Sequence, residues 1–354
     1  MSGRFDVRAL AAPVVQAPLA GGPSTPALAA AVARAGGMGT LASGYLTAER
    51  LAEDVAALRA LSDAPFAVNV FVPRTDEPAP DPGVVAAYAE RIAGDAERLG
   101  VAVGAPRADD DAHAAKVALL VRERPAAVSF TFGLPAPAAV AALQDAGVAV
   151  WLTVTTAEEA AAAVRAGADA LVVQGFEAGG HRGAFTDDPP GDVGLLALLQ
   201  LVRARVGTDV PLVAAGGIAT GAGLAAALAA GASAAALGTA LMRTPEAGTK
   251  EAHRDALAAA GRRTNVTRAF SGRSARGIVN AFHAAHTDAA PHAYPHVHHL
   301  TAPLRATGDP DAMNLWAGQA HELAPAAPAA DVVRRLVAEA RAALADAAGR
   351  LGAP

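Results

Sequence analysis

The stretch that combines residue types suited to chemistry is Ala170 to Gly183, ALVVQGFEAGGHRG. Its apolar beginning predicts a buried strand, which gives way abruptly to glycines and polar side chains. In α/β proteins, functional groups lie at the carboxyl ends of parallel strands. The glycines let the backbone approach a flat or bulky ligand because no Cβ atom intervenes. His181 is the one side chain in this turn that titrates near neutral pH, which makes it the candidate acid–base group; a glycine-rich loop with a solvated histidine is the alternative.

Apolar runs recur along the chain, and most of them end at a glycine or polar turn and lead into helix-forming sequence. This rhythm repeats about eight times within residues 1–243, which predicts an α/β fold of the (β/α)8 TIM barrel type, or failing that an open doubly wound sheet. The hydrophobic content of 53% with only 4% aromatic residues suits alanine-rich helices packed around a Val/Leu sheet. The predicted strands cover residues 14–20, 38–43, 66–72, 101–104, 127–132, 148–154, 170–173, 211–215 and 234–237.

Two further features point to a ligand at the carboxyl face of this barrel. Asn69 interrupts the apolar strand FAVNVFV, and its amide needs a partner, which a ligand or a neighbouring loop would supply. The turns AAGGIATG (214–221) and ALGTA (236–240) follow the last two predicted strands, where barrels commonly bind phosphate through backbone N–H groups. Plain tight turns are the alternative. The chain contains only two lysines, Lys116 and Lys250, so backbone capture of phosphate is the expected route.

The strand and helix rhythm stops after residue 243. Residues 244–325 show little periodicity, so we expect a smaller C-terminal lobe or lid over the barrel, and residues 326–354 contain an amphipathic helix that packs back on it. The histidines of PHAYPHVHHLTAPLR (291–305) lack acidic neighbours and helical ligand spacing, and the prolines argue against a helix there. The sequence therefore predicts no metal site here. It predicts that this segment forms a lid surface or a wall facing the substrate. SGRSARG (271–277) would form a lid hairpin or contact an anion.

Composition excludes several kinds of site and partner. The chain contains no cysteine, which rules out disulfides, thiolate nucleophiles and cysteine metal sites. Its formal net charge is −5 without a long basic block, so nucleic acid is not an expected partner. The N-terminal residues lack a signal-like apolar stretch, and no apolar run reaches membrane-span length. We expect a cytoplasmic protein without membrane contact, and a homo-oligomer is compatible with the sequence.

Five segments carry a resemblance to a known family: APLAGG (17–22), VNVF (68–71), QGFEAGGHRG (174–183), AAGGI (214–218) and LGTALM (237–242). They resemble the flavin-dependent nitronate monooxygenases, formerly called 2-nitropropane dioxygenases. The resemblance continues in the same order through TRAFSGRSARGIVN, YPHVHHLTAPLR and LWAGQ, so it covers most of the chain.

The resemblance implies an FMN-binding barrel with a smaller lobe, and His181 matches the family's proposed catalytic histidine. Asn69, Gln174, Gly179 and Gly217 are then expected to contact the flavin, and residues 236–239 are expected to hold its phosphate. The full set of residues expected at the cofactor is Ala17, Pro18, Leu19, Asn69, Gln174, Gly179, Gly180, Gly216, Gly217, Ala236, Leu237, Gly238 and Thr239.

The expected reaction is oxidation of alkyl nitronates, such as propionate 3-nitronate, by FMN and O2 to carbonyl compounds and nitrite. His181, with an ordinary pKa near 6.5, would remove the acidic C–H proton of a neutral nitroalkane. The phenol of Tyr294 would donate to a nitro oxygen, or the residue is a packed lid tyrosine. The FMN-dependent enoyl-ACP reductases share a similar EAGGH stretch and are the runner-up, with NAD(P)H as reductant. A non-catalytic sensor of a phosphate ligand is the alternative of another class.

Overall fold

Eight parallel strands form the centre of the protein in a computed structural model, which describes residues 3–73, 79–187 and 191–352. All described strands except β7, β10 and β11 belong to this sheet. In chain order the strands are β1 (Val14–Gln16), β2 (Gly39–Ala42), β3 (Phe66–Phe71), β4 (Ala127–Thr131), β5 (Ala149–Val154), β6 (Ala170–Gln174), β7 (Gly180–His181), β8 (Leu212–Ala215), β9 (Ala234–Leu237), β10 (Thr264–Thr267) and β11 (Ala275–Ile278).

The eight strands close into a barrel. They pair in the order β1–β9–β8–β6–β5–β4–β3–β2, and every pairing is parallel. A parallel bridge between Val15 and Met38 joins the two ends, where the Gln16 N–H donates to the Met38 carbonyl at 2.8 Å. The predicted (β/α)8 barrel is confirmed, and the open doubly wound sheet is excluded.

Helices follow the barrel strands and surround them. Thr25 caps the first helix by accepting the Leu28 N–H at 3.0 Å. The neighbouring Ser24 accepts the Leu19 N–H at 2.9 Å, so it shapes the turn after β1. The helices are α1 (Pro26–Arg34), α2 (Ala48–Leu61), α3 (Pro82–Arg91), α4 (Ala93–Arg98), α5 (His113–Glu123), α6 (Pro137–Asp145), α7 (Ala157–Arg165), α8 (Leu195–Val206), α9 (Gly221–Ala229), α10 (Glu251–Ala258), α11 (Ala281–His286), α12 (His296–Ala306) and α13 (Ala329–Arg350).

The core has an outer and an inner part. The outer part packs Val, Leu and Ala side chains of the strands against the surrounding helices. The inner part fills the barrel with small side chains around Trp151, which is 1% exposed. The last helix, α13, packs on α9 and α1, and a Cβ atom at Gly221 would lie 2.1 Å from the Cβ of Glu339. Glycine at that position therefore lets the two helices approach closely.

A smaller lobe covers the carboxyl ends of the barrel strands. Its sheet pairs β10 with β11 and β11 with β7, so the barrel loop that carries His181 is itself a strand of the lobe. Ala275 lies opposite His181, and Arg276 lies opposite Gly180. The lobe cluster includes Phe270, Phe282, Val297 and Leu300, together with Tyr88 of α3.

Two local predictions for this region are wrong. Residues 101–104 are not a strand, because the Gly104 N–H donates to the Leu300 carbonyl at 2.9 Å and the segment lies along α12 instead of a sheet. The histidine-rich segment does form a helix. Pro295 immediately precedes its first turn, where the missing N–H costs no helical hydrogen bond, so that proline begins α12 and does not break it. Within the described ranges, no helix has both the length and the apolarity needed to cross a membrane.

Candidate active site

A cavity of about 470 Å3 lies between the carboxyl ends of the barrel strands and the lobe. Its size falls within the range of small-molecule sites, roughly 300–1,000 Å3. His181 and most of the residues expected at the cofactor line it together: Ala17, Pro18, Leu19, Asn69, Gln174, Gly179, Gly180, Gly216, Gly217, Ala236, Gly238 and Thr239.

Two of the expected site residues lie elsewhere. The side chain of Leu237 is fully buried in the outer core, and its carbonyl accepts the Ala17 N–H at 2.9 Å. Tyr294 is half-buried behind the cavity wall, with its ring centroid 5.9 Å from those of both Phe132 and His181. Leu237 therefore supports the turn after β1, and Tyr294 packs against the aromatic surroundings of His181.

The strand ends at the cavity floor are polar. The Asn69 amide donates to the Ser129 and Thr131 hydroxyls at 3.0 Å each, and the Thr131 and Thr153 hydroxyls lie 3.2 Å apart. Neighbouring strands thus satisfy the amide nitrogen that the sequence left without a partner. The side-chain oxygen of Asn69, Oδ1, has no hydrogen-bond partner among the described residues, and it remains available to a donor in the cavity.

The turns after β8 and β9 leave backbone in the cavity wall. Gly216 and Gly217 have φ angles of +118° and +67°, a conformation that favours glycine. A Cβ atom at Gly217 would lie 3.0 Å from the Cβ of Glu177. Thr239 accepts the Gly318 N–H at 3.0 Å through its hydroxyl oxygen, so its hydroxyl proton can serve an acceptor in the cavity. This arrangement suits a phosphate group held by backbone and hydroxyl donors.

Gln174 closes the loop that carries His181. Its side-chain nitrogen donates to the His181 carbonyl at 3.0 Å, and its side-chain oxygen accepts the Gly183 N–H at 2.8 Å. The fully buried Arg182 guanidinium donates to the Gly175 carbonyl at 2.7 Å. The amide of Gln174 thus fixes the loop conformation, while the residue also lines the cavity.

His181 is held in one orientation. Its Nε2 lies 2.8 Å from the Ser271 hydroxyl, which itself donates to the Arg273 carbonyl at 3.2 Å. Nε2 therefore carries the proton and donates to Ser271, which leaves the lone pair on Nδ1. Nδ1 makes no hydrogen bond to any described residue. The rings of Phe132, Tyr294 and Trp316 surround the imidazole with centroid distances of 5.6–5.9 Å.

The surroundings of His181 change its acidity. Burial and, after it, the positive charge of Arg273 lower the pKa of His181 to about 3. The expectation of an ordinary pKa near 6.5 is wrong, because the motif alone shows neither the aromatic enclosure nor the arginine. The imidazole is consequently neutral, and so in the form that accepts a proton, throughout the physiological pH range.

The cavity carries positive charge without a matching acid. Arg305 lines it and donates to the Thr301 hydroxyl at 2.9 Å and to the His298 carbonyl at 2.8 Å. Among the described residues, no carboxylate pairs with Arg305, and none lines the cavity. His298 is neutral, because burial and the charge of Arg305 lower its pKa to about 2. An anion entering the cavity would therefore meet an uncompensated guanidinium.

Comparison with known proteins identifies the family. The family model "Nitronate monooxygenase" matches residues 6–339. The chain belongs to the nitronate monooxygenase family. It is accordingly an oxidoreductase, and the resemblance seen in its motifs is confirmed.

Individual members of the nitronate monooxygenase family resemble the whole chain. A nitronate monooxygenase from Pseudomonas aeruginosa is 42% identical over 360 residues, covering 96% of this chain and 100% of that protein. A second, from Paraburkholderia phytofirmans, is 41% identical over 340 residues and covers 92% of each. The crystal structure of nitroalkane oxidase from Streptomyces ansochromogenes superimposes with a TM-score of 0.92 at 46% identity, covering 96% of this chain and 99% of that one.

Sequence reasoning missed several residues of this nitronate monooxygenase family site. Tyr45, Lys250, His253, Arg305 and Trp316 all line the cavity. None of them lies in a glycine-rich turn after a predicted strand, apart from Tyr45, which directly follows Gly44 after β2. Tyr45 could therefore have been identified from its position after a strand and a glycine, since the chain contains only three tyrosines. Of the lobe histidines, His298 lines the cavity, whereas His299 faces Asp109 at 3.2 Å.

Proposed function

We propose that the protein oxidises alkyl nitronates with O2 to carbonyl compounds and nitrite, and that it accepts neutral nitroalkanes after removing their acidic proton. One observation carries this proposal: a neutral His181 and an uncompensated Arg305 share a cavity that no described carboxylate lines. A nitronate is an anion, so it matches the charge of that cavity. A neutral nitroalkane becomes a nitronate only after a base removes its C–H proton. His181 is neutral and can therefore act as that base.

FMN is the proposed cofactor, and the residues present fit it. Backbone at Gly216 and Gly217 and the hydroxyl of Thr239 would hold its phosphate. A Cβ atom at Gly179 would lie 2.5 Å from the Ala317 carbonyl carbon, so only glycine lets this cavity-lining loop pack so closely against residues 317–318. The glycines and the unpartnered Asn69 oxygen would receive the ring. When bound, FMN supplies the two-electron redox chemistry and the reaction with O2.

The side chains around the cofactor site bind and deprotonate the substrate in this proposal. Arg305 attracts the nitronate or the developing nitronate charge. His181 accepts the C–H proton at Nδ1, while its Nε2–H keeps donating a hydrogen bond to the Ser271 hydroxyl. Tyr294, beside His181, turns its phenol toward the cavity in this proposal and donates to a nitro oxygen. The aromatic rings limit access of water, which strengthens the interaction between the histidine and the anion.

The proposal keeps the three regions and their roles as predicted from the sequence. The barrel, residues 1–243, would hold FMN, the lobe, residues 244–325, would cover the substrate, and residues 326–354 would brace the barrel. Tyr88 belongs to the same buried cluster as Phe270, and its hydroxyl donates to the Ala269 carbonyl at 2.7 Å, which supports adding α3 to the substrate-covering lobe.

The experiment is anaerobic mixing of the purified, FMN-loaded protein with ethyl nitronate or with NAD(P)H. We expect the nitronate to bleach the flavin absorbance with release of nitrite, and NAD(P)H to leave the absorbance unchanged; admission of air should then restore the absorbance and allow further turnover to nitrite. Rapid bleaching by NAD(P)H together with turnover of crotonyl thioester would replace the proposal with an enoyl reductase. Protein that has no flavin band and takes up no FMN would indicate a sensor of another phosphate ligand.

A further inference from the structure

The chain contains a buried ion pair that the proposed function does not use. Lys116, on α5, is completely buried, and its ammonium lies 2.7 Å from a carboxylate oxygen of Asp111, whose side chain is 16% exposed. Neither residue lines the cavity. Burying an ammonium is costly unless it is paired, and a buried ion pair contributes little net stability compared with an apolar replacement. The pair therefore calls for a role other than general stabilisation.

The second oxygen of Asp111 holds the loop after β2. It accepts the backbone N–H of Tyr45 at 2.8 Å. Tyr45 has a φ angle of +69°, and Asp111 and Ala112 have φ angles of +56° and +51°. Three residues other than glycine thus adopt the left-handed conformation on the two sides of one hydrogen bond. Such strain persists only where the surrounding structure enforces it, and it concentrates at functional sites.

The strained conformation directs the Tyr45 ring into the cavity. Tyr45 lines the cavity and is 38% exposed. Its ring stacks on His298, with centroids 4.3 Å apart and an interplanar angle of 7°, and meets the edge of Phe71 at 5.7 Å. Gly44 makes this approach possible, because a Cβ atom there would collide with the Phe71 ring.

The support for Tyr45 comes from a distant part of the chain. His113, at the start of α5, donates from Nδ1 to the Phe71 carbonyl at 2.8 Å, so α5 is anchored to the same strand end that Tyr45 packs against. The ammonium of Lys116 fixes the Asp111 carboxylate from the other side. Ring, loop and ion pair form one connected arrangement that ends at the cavity wall.

We propose that Tyr45 is a specificity-determining wall of the substrate cavity, and that the buried Lys116–Asp111 pair is a positioning device that holds it there. This inference rests on the proposed oxidation of nitronates. The Tyr45 ring restricts the space beside His298, so the wall favours short nitronates over bulky ones. The ion pair acts through Tyr45 and touches neither substrate nor cofactor.

The experiment compares kcat/KM for ethyl nitronate with kcat/KM for cyclohexyl nitronate in FMN-loaded protein. Tyr45→Ala opens the wall, so we expect the ratio to shift about tenfold toward the bulky substrate. Asp111→Ala and Lys116→Met should shift it in the same direction, with unchanged FMN content. The double variant Tyr45→Ala/Asp111→Ala should behave like Tyr45→Ala alone, because both changes remove the same wall. Asp111→Asn should shift the ratio as well, because its one side-chain oxygen can accept the Tyr45 N–H only if the amide NH2 faces the Lys116 ammonium.

Asp110→Ala is the matched control. Asp110 is the neighbour of Asp111 and caps the Ala112 N–H at 3.1 Å without contacting Tyr45, so its replacement should leave the ratio unchanged. An unchanged ratio in Tyr45→Ala overturns the inference even if the Asp111 and Lys116 variants do not fold. Additive shifts in the double variant, or a shift in Asp110→Ala equal to that in Asp111→Ala, overturn the positioning role. If the unaltered protein oxidises neither nitronate, the proposed function itself has failed.

Discussion

His181 gives the sharpest prediction because its surroundings favour one protonation state. Burial, followed by the charge of Arg273, lowers its pKa to about 3. The imidazole of the free enzyme therefore stays neutral between pH 5 and pH 8. For a histidine with an ordinary pKa of about 6.5, only about 3% would be neutral at pH 5, which would lower the rate roughly 30-fold. We predict no acidic limb from His181 in kcat/KM for a neutral nitroalkane over that pH range.

The substitution His181→Asn separates the role of His181 as a base from its other contributions. General bases contribute about 10²–10⁴-fold, so kcat/KM for the neutral nitroalkane should fall by a factor in this range. A nitronate supplied as the anion needs no proton removal, so its oxidation should fall much less, with FMN retained. The low pKa also makes His181 a weak base in the free enzyme; the charge of the nascent nitronate must raise its proton affinity in the transition state.

The assay is steady-state oxygen uptake with nitroethane and with ethyl nitronate at matched pH, beside the flavin content of each preparation. Equal losses on both substrates, with flavin retained, would refute the base role and assign His181 to binding. An acidic limb near pH 6.5 that disappears in His181→Asn would refute the derived protonation state. Loss of FMN in the variant would make the residue structural.

Further predictions follow from other contacts in the cavity. Arg305→Met should raise KM for ethyl nitronate about 10- to 100-fold with little change in kcat, because a charge-assisted hydrogen bond is lost; an unchanged KM would exclude Arg305 from anion binding. Gly217→Ala should weaken FMN binding, measured by flavin fluorescence on dilution, whereas Gly207→Ala, with a similar φ of +75° but outside the cavity lining, should not. Tyr294→Phe should raise KM or lower kcat for nitronates; no change in either would contradict its substrate contact. Chemical denaturation should show stability falling as pH drops below about 6.5, by up to about 1.4 kcal/mol per pH unit for each histidine that is neutral when folded and protonated when unfolded. The histidines with the largest lowering of pKa are His181, His253, His283 and His298.

The barrel could be predicted because its signals are local. Each strand is a short apolar run, each is followed by a turn and a helix, and the (β/α)8 closure follows from the number of repeats. The wrong strand at 101–104 shows the limit of this reasoning. Val101 and Val103 are apolar because they face the lobe cluster around Val297, and apolar sequence alone does not distinguish burial in a sheet from burial under a helix.

The site could be predicted only where function requires a particular backbone. Glycine turns and a histidine after a strand are visible in sequence, because the strand end and the missing Cβ are both local properties. The lowered pKa of His181 comes first from burial and then from the charge of Arg273, which lies in the lobe. Arg305 has no acidic partner among the residues that the structure describes, and no local sequence pattern shows which side chains surround an arginine.

The pairing of β7 with β11 explains why the barrel motif and the lobe act as one unit. His181 lies in register with Ala275, and the Arg182 N–H donates to the Ser274 carbonyl at 2.8 Å. The same lobe strand follows Ser271, whose hydroxyl orients the imidazole. The orientation of the histidine and the covering of the cavity therefore depend on one set of backbone hydrogen bonds. Any movement of the lobe away from the barrel would have to break this sheet or carry His181 with it.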